Sequence, residues 1–395
     1  MTISPNAAAP GVLIPCVLII GGSGAFGGRL VDGLIAASDF TVVVAGRDLA
    51  RSEAKAASLG TRARALRLDA ATATAADLRA SGAFVVVDAA GPFQGAGYRL
   101  ARAAIEAGLH YVDLADGRDF VAGFAAALDE AARAAGVVAL TGASSTPALS
   151  HGVLDRLTAG WRAIDTVEIA ISPGNRSAPR GLSVIRAILS YVGRPVRVFA
   201  AGAWTERTGW GWPVRRHLPG LGRRWLSLCE TPDLDLVPAR FAPLQSAIFR
   251  AGMELTVVHW GLCLVGLLVR GRLLPSAAAL ARPLRWAAER LQRLGSDRGG
   301  MLVEATGLDA AGRPVRATWS LVAEAGDGPS IPGLPALAVI RALADGRLAS
   351  PGARPCVGVL DLATIEREFT RYRITTEVTT SAADADVSVP APARR

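Results

Sequence analysis

Residues 16–28 read Cys16-Val17-Leu18-Ile19-Ile20-Gly21-Gly22-Ser23-Gly24-Ala25-Phe26-Gly27-Gly28. A short apolar run reaches a glycine turn, and a helix-like pattern begins at once. Gly22, Gly24 and Gly27 fit G-x-G-x-x-G in the context that motif requires, after a strand and opening a helix. Gly22 allows the tight turn, Gly24 lets the backbone approach a pyrophosphate, and Gly27 lets the helix lie close on the strand. The helix N-terminus adds free N–H groups and a positive dipole end. Residues 22–27, with Ser23, Ala25 and Phe26 between the glycines, are therefore a candidate dinucleotide cradle.

Working outward, residues 40–45 read as a second strand, and Asp48 can cap a helix over 49–59. A third strand, 63–68, ends at Asp69, and a short helix covers 75–80. Residues 84–88 form a buried fourth strand that runs into Ala89-Ala90-Gly91-Pro92-Phe93. A helix over 96–107, a strand over 110–114, a helix over 120–135 and a strand over 137–140 complete the series. Strands alternating with helices predict an α/β domain with a doubly wound parallel sheet of Rossmann type, here at residues 16–150 after a flexible N-terminus of residues 1–15. Right-handed crossovers bring the strand C-termini to one edge, where ligands bind.

After residue 150 the texture changes. Strands are expected at 166–172, 196–200, 301–307, 315–323, 356–360 and 372–378. Helices are expected at 180–191 and 334–344, with an apolar helical segment over 243–294 (patterns 243–269 and 277–294). Residues 204–225 form a Trp/Arg/Gly stretch, and 231–235 a loop. Residues 151–380 thus read as a second, α+β domain for substrate and dimerisation. Residues 381–395 read as a disordered polar tail.

The chain has 395 residues, enough for two domains and a large core, and 51% hydrophobic residues exclude wholesale disorder. The formal charge of +9 is carried almost wholly by arginine, since Lys55 is the only lysine. No nucleic-acid recognition module of the usual kinds accompanies that charge. Schiff-base or lysine general-base chemistry would have to use Lys55, on the cofactor side of the first domain. Cys16, Cys229, Cys263 and Cys356 are far apart, against a disulfide framework or a zinc site, and a reducing cytoplasm fits. The N-terminus lacks a basic region before an apolar run, so no signal peptide is read.

The second strand ends Ala45-Gly46-Arg47. A free ribose 2′-OH usually meets an acid there, whereas a guanidinium suits a 2′-phosphate. Arg47 therefore favours NADP. Asp48 keeps NAD open, although helix capping also accounts for it. Asp69 lies near the adenine or is a turn residue. Ala90, Gly91, Pro92 and Phe93, after the fourth strand, are expected to line the nicotinamide pocket. Hydride transfer needs a proton donor nearby. Tyr98 is one candidate, with a core tyrosine on a helix face as the plainer reading. Asp113 and Asp116, after the fifth strand, either anchor a substrate or cap the next helix. His151 stands where the chain leaves the first domain, near the expected cleft, as an acid–base or substrate contact. No spacing suggests a metal site.

Residues 18–27, 45–47, 88–95 (Asp88-Ala89-Ala90-Gly91-Pro92-Phe93-Gln94-Gly95) and 104–113 carry a resemblance to the saccharopine dehydrogenase-like oxidoreductases. Residues 146–151 continue it more loosely, and residues 231–236 and 295–301 resemble bacterial relatives. The resemblance implies a Rossmann domain with an α+β domain, an NAD(P) cofactor and, in many members, a dimer. The family spans amino-acid dehydrogenases, polyamine-pathway reductases, enoyl reductases acting on lipid-like polyketides and lipid-droplet-associated proteins. Lysine-forming saccharopine dehydrogenases look like lysine–histidine enzymes, and no matching lysine exists here, which puts an amino-acid substrate in doubt.

Residues 255–269 carry no charged residue and are shorter than the ~20 apolar residues of a spanning helix. Arg270 and Arg272 follow, and Trp204, Trp210, Trp212 and Trp225 mix with arginines upstream. A buried core or dimer helix, a membrane-surface or lipid contact, and a span are the alternatives, in that order. Two functions follow. One is an NAD(P)-dependent oxidoreductase, cytoplasmic, transferring hydride to or from a small or lipid-like substrate. The other is a membrane- or lipid-associated nucleotide-binding protein with little or no catalysis.

Overall fold

The centre of the first sheet is built from uniformly apolar runs, while its edges carry arginines. Its strands are β1 (Cys16–Ile20), β2 (Thr41–Gly46), β3 (Ala63–Arg67), β4 (Val85–Asp88), β5 (His110–Asp113), β6 (Val138–Thr141) and, from far down the chain, β15 (Gly352–Pro355). All pair in parallel, in the order β15-β6-β5-β4-β1-β2-β3. β1 is central, with Leu18 between Val43 and Val86, and the three are buried. Strands covered on both faces have no polar side, hence continuous runs rather than alternation. The helices α1 (Gly27–Ala36), α2 (Leu49–Ala57), α3 (Ala75–Ala80), α4 (Arg99–Glu106) and α5 (Arg118–Ala134) follow β1 to β5 in turn. This computed structural model describes residues 14–37, 40–177 and 181–382. The expected N-terminal lead-in through residue 13 and the tail from residue 383 lie outside the described residues.

The second sheet is mixed. It contains β7 (Ala163–Ser172), β8 (Pro195–Ala200), β9 (Ala203–Thr208), β10 (Val214–Leu218), β11 (Gly222–Leu228), β12 (Ser246–Ala251), β13 (Gly299–Leu308), β14 (Pro314–Ala323) and β16 (Ile374–Ala382). Its main path runs β10-β11-β12-β7-β13-β14-β16. One face packs on α6 (Ser150–Leu157), α7 (Leu182–Tyr191), α8 (Asp233–Phe241), α9 (Thr256–Arg270) and α10 (Ala281–Leu291), around a core that includes Val167, Ile169, Val303 and Trp319. The helix α11 (Leu334–Ala344) is apolar on almost every side because it is enclosed. It lies against α1, where Leu337 and Ile340 share a core with Leu30 and Leu34. The short α12 (Leu362–Glu366) follows.

Five expectations need correction. Residues 246–251, expected as helix, are β12, paired in parallel with β7, and α9 begins only at Thr256. A short buried apolar run does not distinguish strand from helix by periodicity. The Trp/Arg stretch is an antiparallel ladder, in which Arg216 reaches Glu168 (2.8 Å) and Glu304 (3.4 Å) across neighbouring strands. The expected loop at 231–235 opens α8, whose carboxylates Asp233 and Asp235 occupy its first turn, as the dipole favours. The strand expected at 356–360 is instead 352–355, and it joins the first sheet beside β6. Ser381 and Ala382, assigned to the tail, pair with Arg316 and Val315 in β16.

Candidate functional site

The glycine turn lies at the carboxyl end of β1. Gly21 carries the left-handed backbone, φ +79°, and its N–H donates to Ala45 O at 2.8 Å. The turn role expected of Gly22 thus falls on its neighbour. Gly22 is packed beneath, where a Cβ would meet Ile19 O at 3.0 Å and Val44 at 3.1 Å. Gly24 is exposed, and a Cβ there would touch only Gly21 O, at 3.0 Å, leaving its outer side open. At Gly27 a Cβ would lie 2.3 Å from Gly21 O, so only glycine lets α1 start this close to the turn. Among the described residues, no backbone acceptor takes the N–H groups of Ser23, Ala25 or Phe26. Free donors, an open approach at Gly24 and a helix N-terminus together form a cradle fit for a pyrophosphate.

At the end of β2, Arg47 is exposed. Asp48 caps α2, accepting from the Arg51 N–H at 3.1 Å, which commits one of its oxygens to the helix. One turn on, Arg51 reaches back, and its Nη2 donates to Ser23 O at 3.3 Å. The guanidinium that touches the cradle is therefore that of Arg51, while Arg47, to which the sequence pointed, is exposed at the end of the neighbouring strand. Asp69 follows β3, and its side chain accepts from Ala71 N at 3.0 Å in a local turn.

The ends of β4 and β5 carry carboxylates side by side, with Asp88 in register with Asp113. Burial pushes Asp88 up to about 6, against a hydrogen bond from Ala90 N. Burial pushes Asp113 up to about 7, with the Asp88 charge adding to it. Its Oδ1 accepts from Gly142 N (2.7 Å), Thr141 Oγ1 (2.9 Å) and Ala115 N (3.0 Å), tying the β5 and β6 turns together. Asp113 is fully buried, and its Oδ1 is committed to these three donors. Asp116 is exposed and accepts from Gln94 Nε2 at 3.1 Å. Ala90 and Pro92 are exposed and Gly91 is half-buried, on the edge beside the glycine turn. Phe93 turns inward, its ring 5.3 Å from that of Phe120, so it does not offer a face to a ligand. Tyr98 donates its hydroxyl to Phe120 O at 2.9 Å and packs on Phe120 and Phe124, the core tyrosine of the plainer reading.

His151, on α6, is 0% exposed. Its Nε2 lies 3.6 Å from Asp233 Oδ1 and its Nδ1 3.5 Å from Arg240 Nη1. Burial, then the Arg240 charge, drives it down to about 3, while burial raises Asp233 to about 7. A neutral imidazole shut beneath α8 is a packing contact, not a group facing a cleft. His259 is likewise enclosed, its Nε2 3.0 Å from Ser227 Oγ.

A cavity of about 490 Å³ lies under the glycine loop, between the second sheet and α7, α9 and α10. Phe26 lines it from the loop, Ser145 from the turn after β6, and Ile331 from the segment before α11. Among the described lining residues none carries a charge, and Ser145 and Ser177 are the polar side chains. Ser177 Oγ donates to Gly174 O at 3.0 Å, which leaves Ser145 as the available hydroxyl. Its volume is typical of ligand pockets, roughly 300–1,000 Å³. Segments spread from residue 26 to 332 build it, so no local pattern revealed it.

Residues 17–140 match the model of the saccharopine dehydrogenase NADP binding domain. No curated protein sequence matches the chain. Among solved structures, apo saccharopine dehydrogenase (L-Glu forming) from Saccharomyces cerevisiae is similar, with a TM-score of 0.66 at 15% identity over 93% of this chain and 100% of that one. An amine dehydrogenase from Mycobacterium smegmatis aligns with a TM-score of 0.45 at 14% identity over 87% of this chain and 95% of that one. At such identities the likeness is one of fold. The two-sheet architecture is thus the saccharopine dehydrogenase fold, and the first domain of this chain matches the saccharopine dehydrogenase NADP binding domain.

Proposed function

We propose that the protein is an NADP(H)-dependent oxidoreductase acting on an apolar, lipid-like substrate. One observation carries this reading: Phe26 stands at the N-terminus of α1, in the glycine loop, and also lines the apolar cavity. Cofactor cradle and cavity therefore share a wall. The nicotinamide supplies the hydride when bound. The chain holds phosphates on the N–H groups of Ser23, Ala25 and Phe26, and Arg47 and Arg51 answer a 2′-phosphate. The apolar lining excludes water, and Ser145 offers its hydroxyl to a carbonyl or enone oxygen in the cavity. An amino-acid zwitterion fits poorly, because a buried charge needs a partner and the described lining residues supply none.

The test is titration with NADPH and NADH, followed by cofactor oxidation with apolar enones and aldehydes, with 2-oxo acids as the contrast. Selective NADPH binding with turnover of the apolar acceptors supports the reading. No binding of either nucleotide, or turnover confined to charged acceptors, overturns it.

A further inference from the structure

The outward face of α9 is apolar along its length. Val257, Trp260, Leu264 and Leu267 follow the spacing of one helix face and are 71%, 42%, 58% and 62% exposed. Leu273, just past the helix, is 79% exposed, and Trp286 on α10 is 59% exposed. The opposite face, with His259, Leu262, Cys263 and Gly266, is buried in the core. A surface helix normally turns charged residues outward, and a contiguous exposed apolar patch marks an interaction site.

The patch has a charged fringe of one sign. Residues 270–293 include Arg270, Arg272, Arg282, Arg285, Arg290 and Arg293 against one acid, Glu289. Glu289 is taken by Arg285, and Arg290 lies over the Trp286 ring at 4.8 Å. Trp225, from the ladder of β10 and β11, stacks edge-on against Trp260 at 5.1 Å and widens the apolar face.

The patch also borders the cavity. Val257 and Gly261, both exposed, line it from α9, and Leu284, Ala287, Ala288 and Leu291 line it from α10. The cavity thus opens between the two helices that carry the patch.

We propose that the α9–α10 rim seats the protein on an anionic lipid surface, with the cavity mouth turned toward the acyl chains. Leucine, valine and tryptophan enter the interface while the arginines meet the headgroups. A hydrophobic substrate then passes from lipid to cavity without crossing water. Among the described residues no helix is long and apolar enough to cross a membrane, which fits a helix lying along the surface. A second copy of the chain is the competing occupant. A two-fold contact would set the same arginine fringe against itself, and like charges facing each other oppose that pairing. The inference rests on the cavity being the acceptor site, as proposed above.

The test is flotation of the full chain with vesicles of phosphatidylcholine alone and of phosphatidylcholine with phosphatidylglycerol, with NADPH affinity measured alongside. The wild type should float with the anionic vesicles. Leu264→Glu with Leu267→Glu should abolish flotation, and Arg282→Glu with Arg293→Glu should weaken it at least about tenfold, all with unchanged NADPH affinity. A wild type that does not float, or variants that float like it, overturns the proposal. So does a wild-type dimer that the leucine variant splits into monomers without any lipid binding. Intact NADPH binding in those cases leaves the oxidoreductase reading standing, whereas loss of NADPH binding by the wild type defeats that reading instead.

Discussion

Gly24 and Gly27 sit three residues apart and should respond to substitution in opposite ways. A methyl group at Gly27 would lie 2.3 Å from Gly21 O and 2.8 Å from the Gly21 carbonyl carbon. Ordinary contact begins at 3.4 Å, so the turn must retreat by about 1.1 Å. It has little room to do so. Gly21 is pinned by its hydrogen bond to Ala45 O and crowded by Ala89, where its own Cβ would come within 2.8 Å of a carbonyl oxygen. Overpacking of this kind costs about 1–3 kcal/mol. Gly27→Ala should therefore lose about that much stability in urea unfolding followed by circular dichroism, and weaken NADPH binding as the cradle distorts. A Cβ at Gly24 meets the same oxygen at 3.0 Å and is otherwise open. Gly24→Ala asks that oxygen to give by only about 0.4 Å, so it should cost less than Gly27→Ala, about 1 kcal/mol at most. Gly24→Val should keep the fold yet lower NADPH affinity more than tenfold, about 1.4 kcal/mol, because the side chain stands where the pyrophosphate approaches. Wild-type stability in Gly27→Ala would refute the close-packing account. Undiminished NADPH binding by Gly24→Val would remove the loop from the cofactor site.

Other expectations follow from the same site. Arg47→Ala and Arg51→Ala should each narrow the preference for NADPH over NADH, by about 1–2 kcal/mol per guanidinium lost from the 2′-phosphate, and equal affinities in the unmutated protein would sink the assignment. Ser145→Ala should lower kcat with the apolar acceptor while leaving NADPH affinity intact; an unchanged kcat would show that its hydroxyl does not contact the reacting group. The raised pKa of Asp113, about 7 in the folded chain, means that the folded state binds more protons than the unfolded one between about pH 4 and 7. Its contribution to stability is present below the unfolded value and declines as pH rises through the folded one, by up to about 4 kcal/mol. Asp113→Asn keeps an oxygen for the three donors and cannot ionise, so its urea midpoint should vary less between pH 5 and pH 8 than that of the wild type, and parallel profiles would count against the assignment.

The cradle was legible because its signals are local. An apolar run, a glycine turn and a helix start lie within thirteen residues, and each strand–helix unit of the first sheet repeats a pattern that neighbouring residues alone enforce. Asp48 as a cap and Gly27 as the close contact were readable for the same reason. Gly21 rather than Gly22 carries the left-handed turn because that choice depends on Ala45 and Ala89, on strands distant in sequence. Tyr98, Asp113 and His151 were reasonable as residue types, but the chemistry of a titratable group is set by what surrounds it. The Phe120 carbonyl, the β6 turn and α8 close over these three respectively.

The nucleotide-binding half was thus readable from local sequence, because short-range periodicity and turn chemistry leave few alternatives there. Only the folded chain shows that residues 352–355 complete the first sheet, that Arg51 meets the glycine loop, and that a cavity with an apolar described lining opens beneath Phe26. The physical reason is range. Strand pairing and cavities are made by segments up to hundreds of residues apart, whose surfaces acquire meaning only once the chain brings them together.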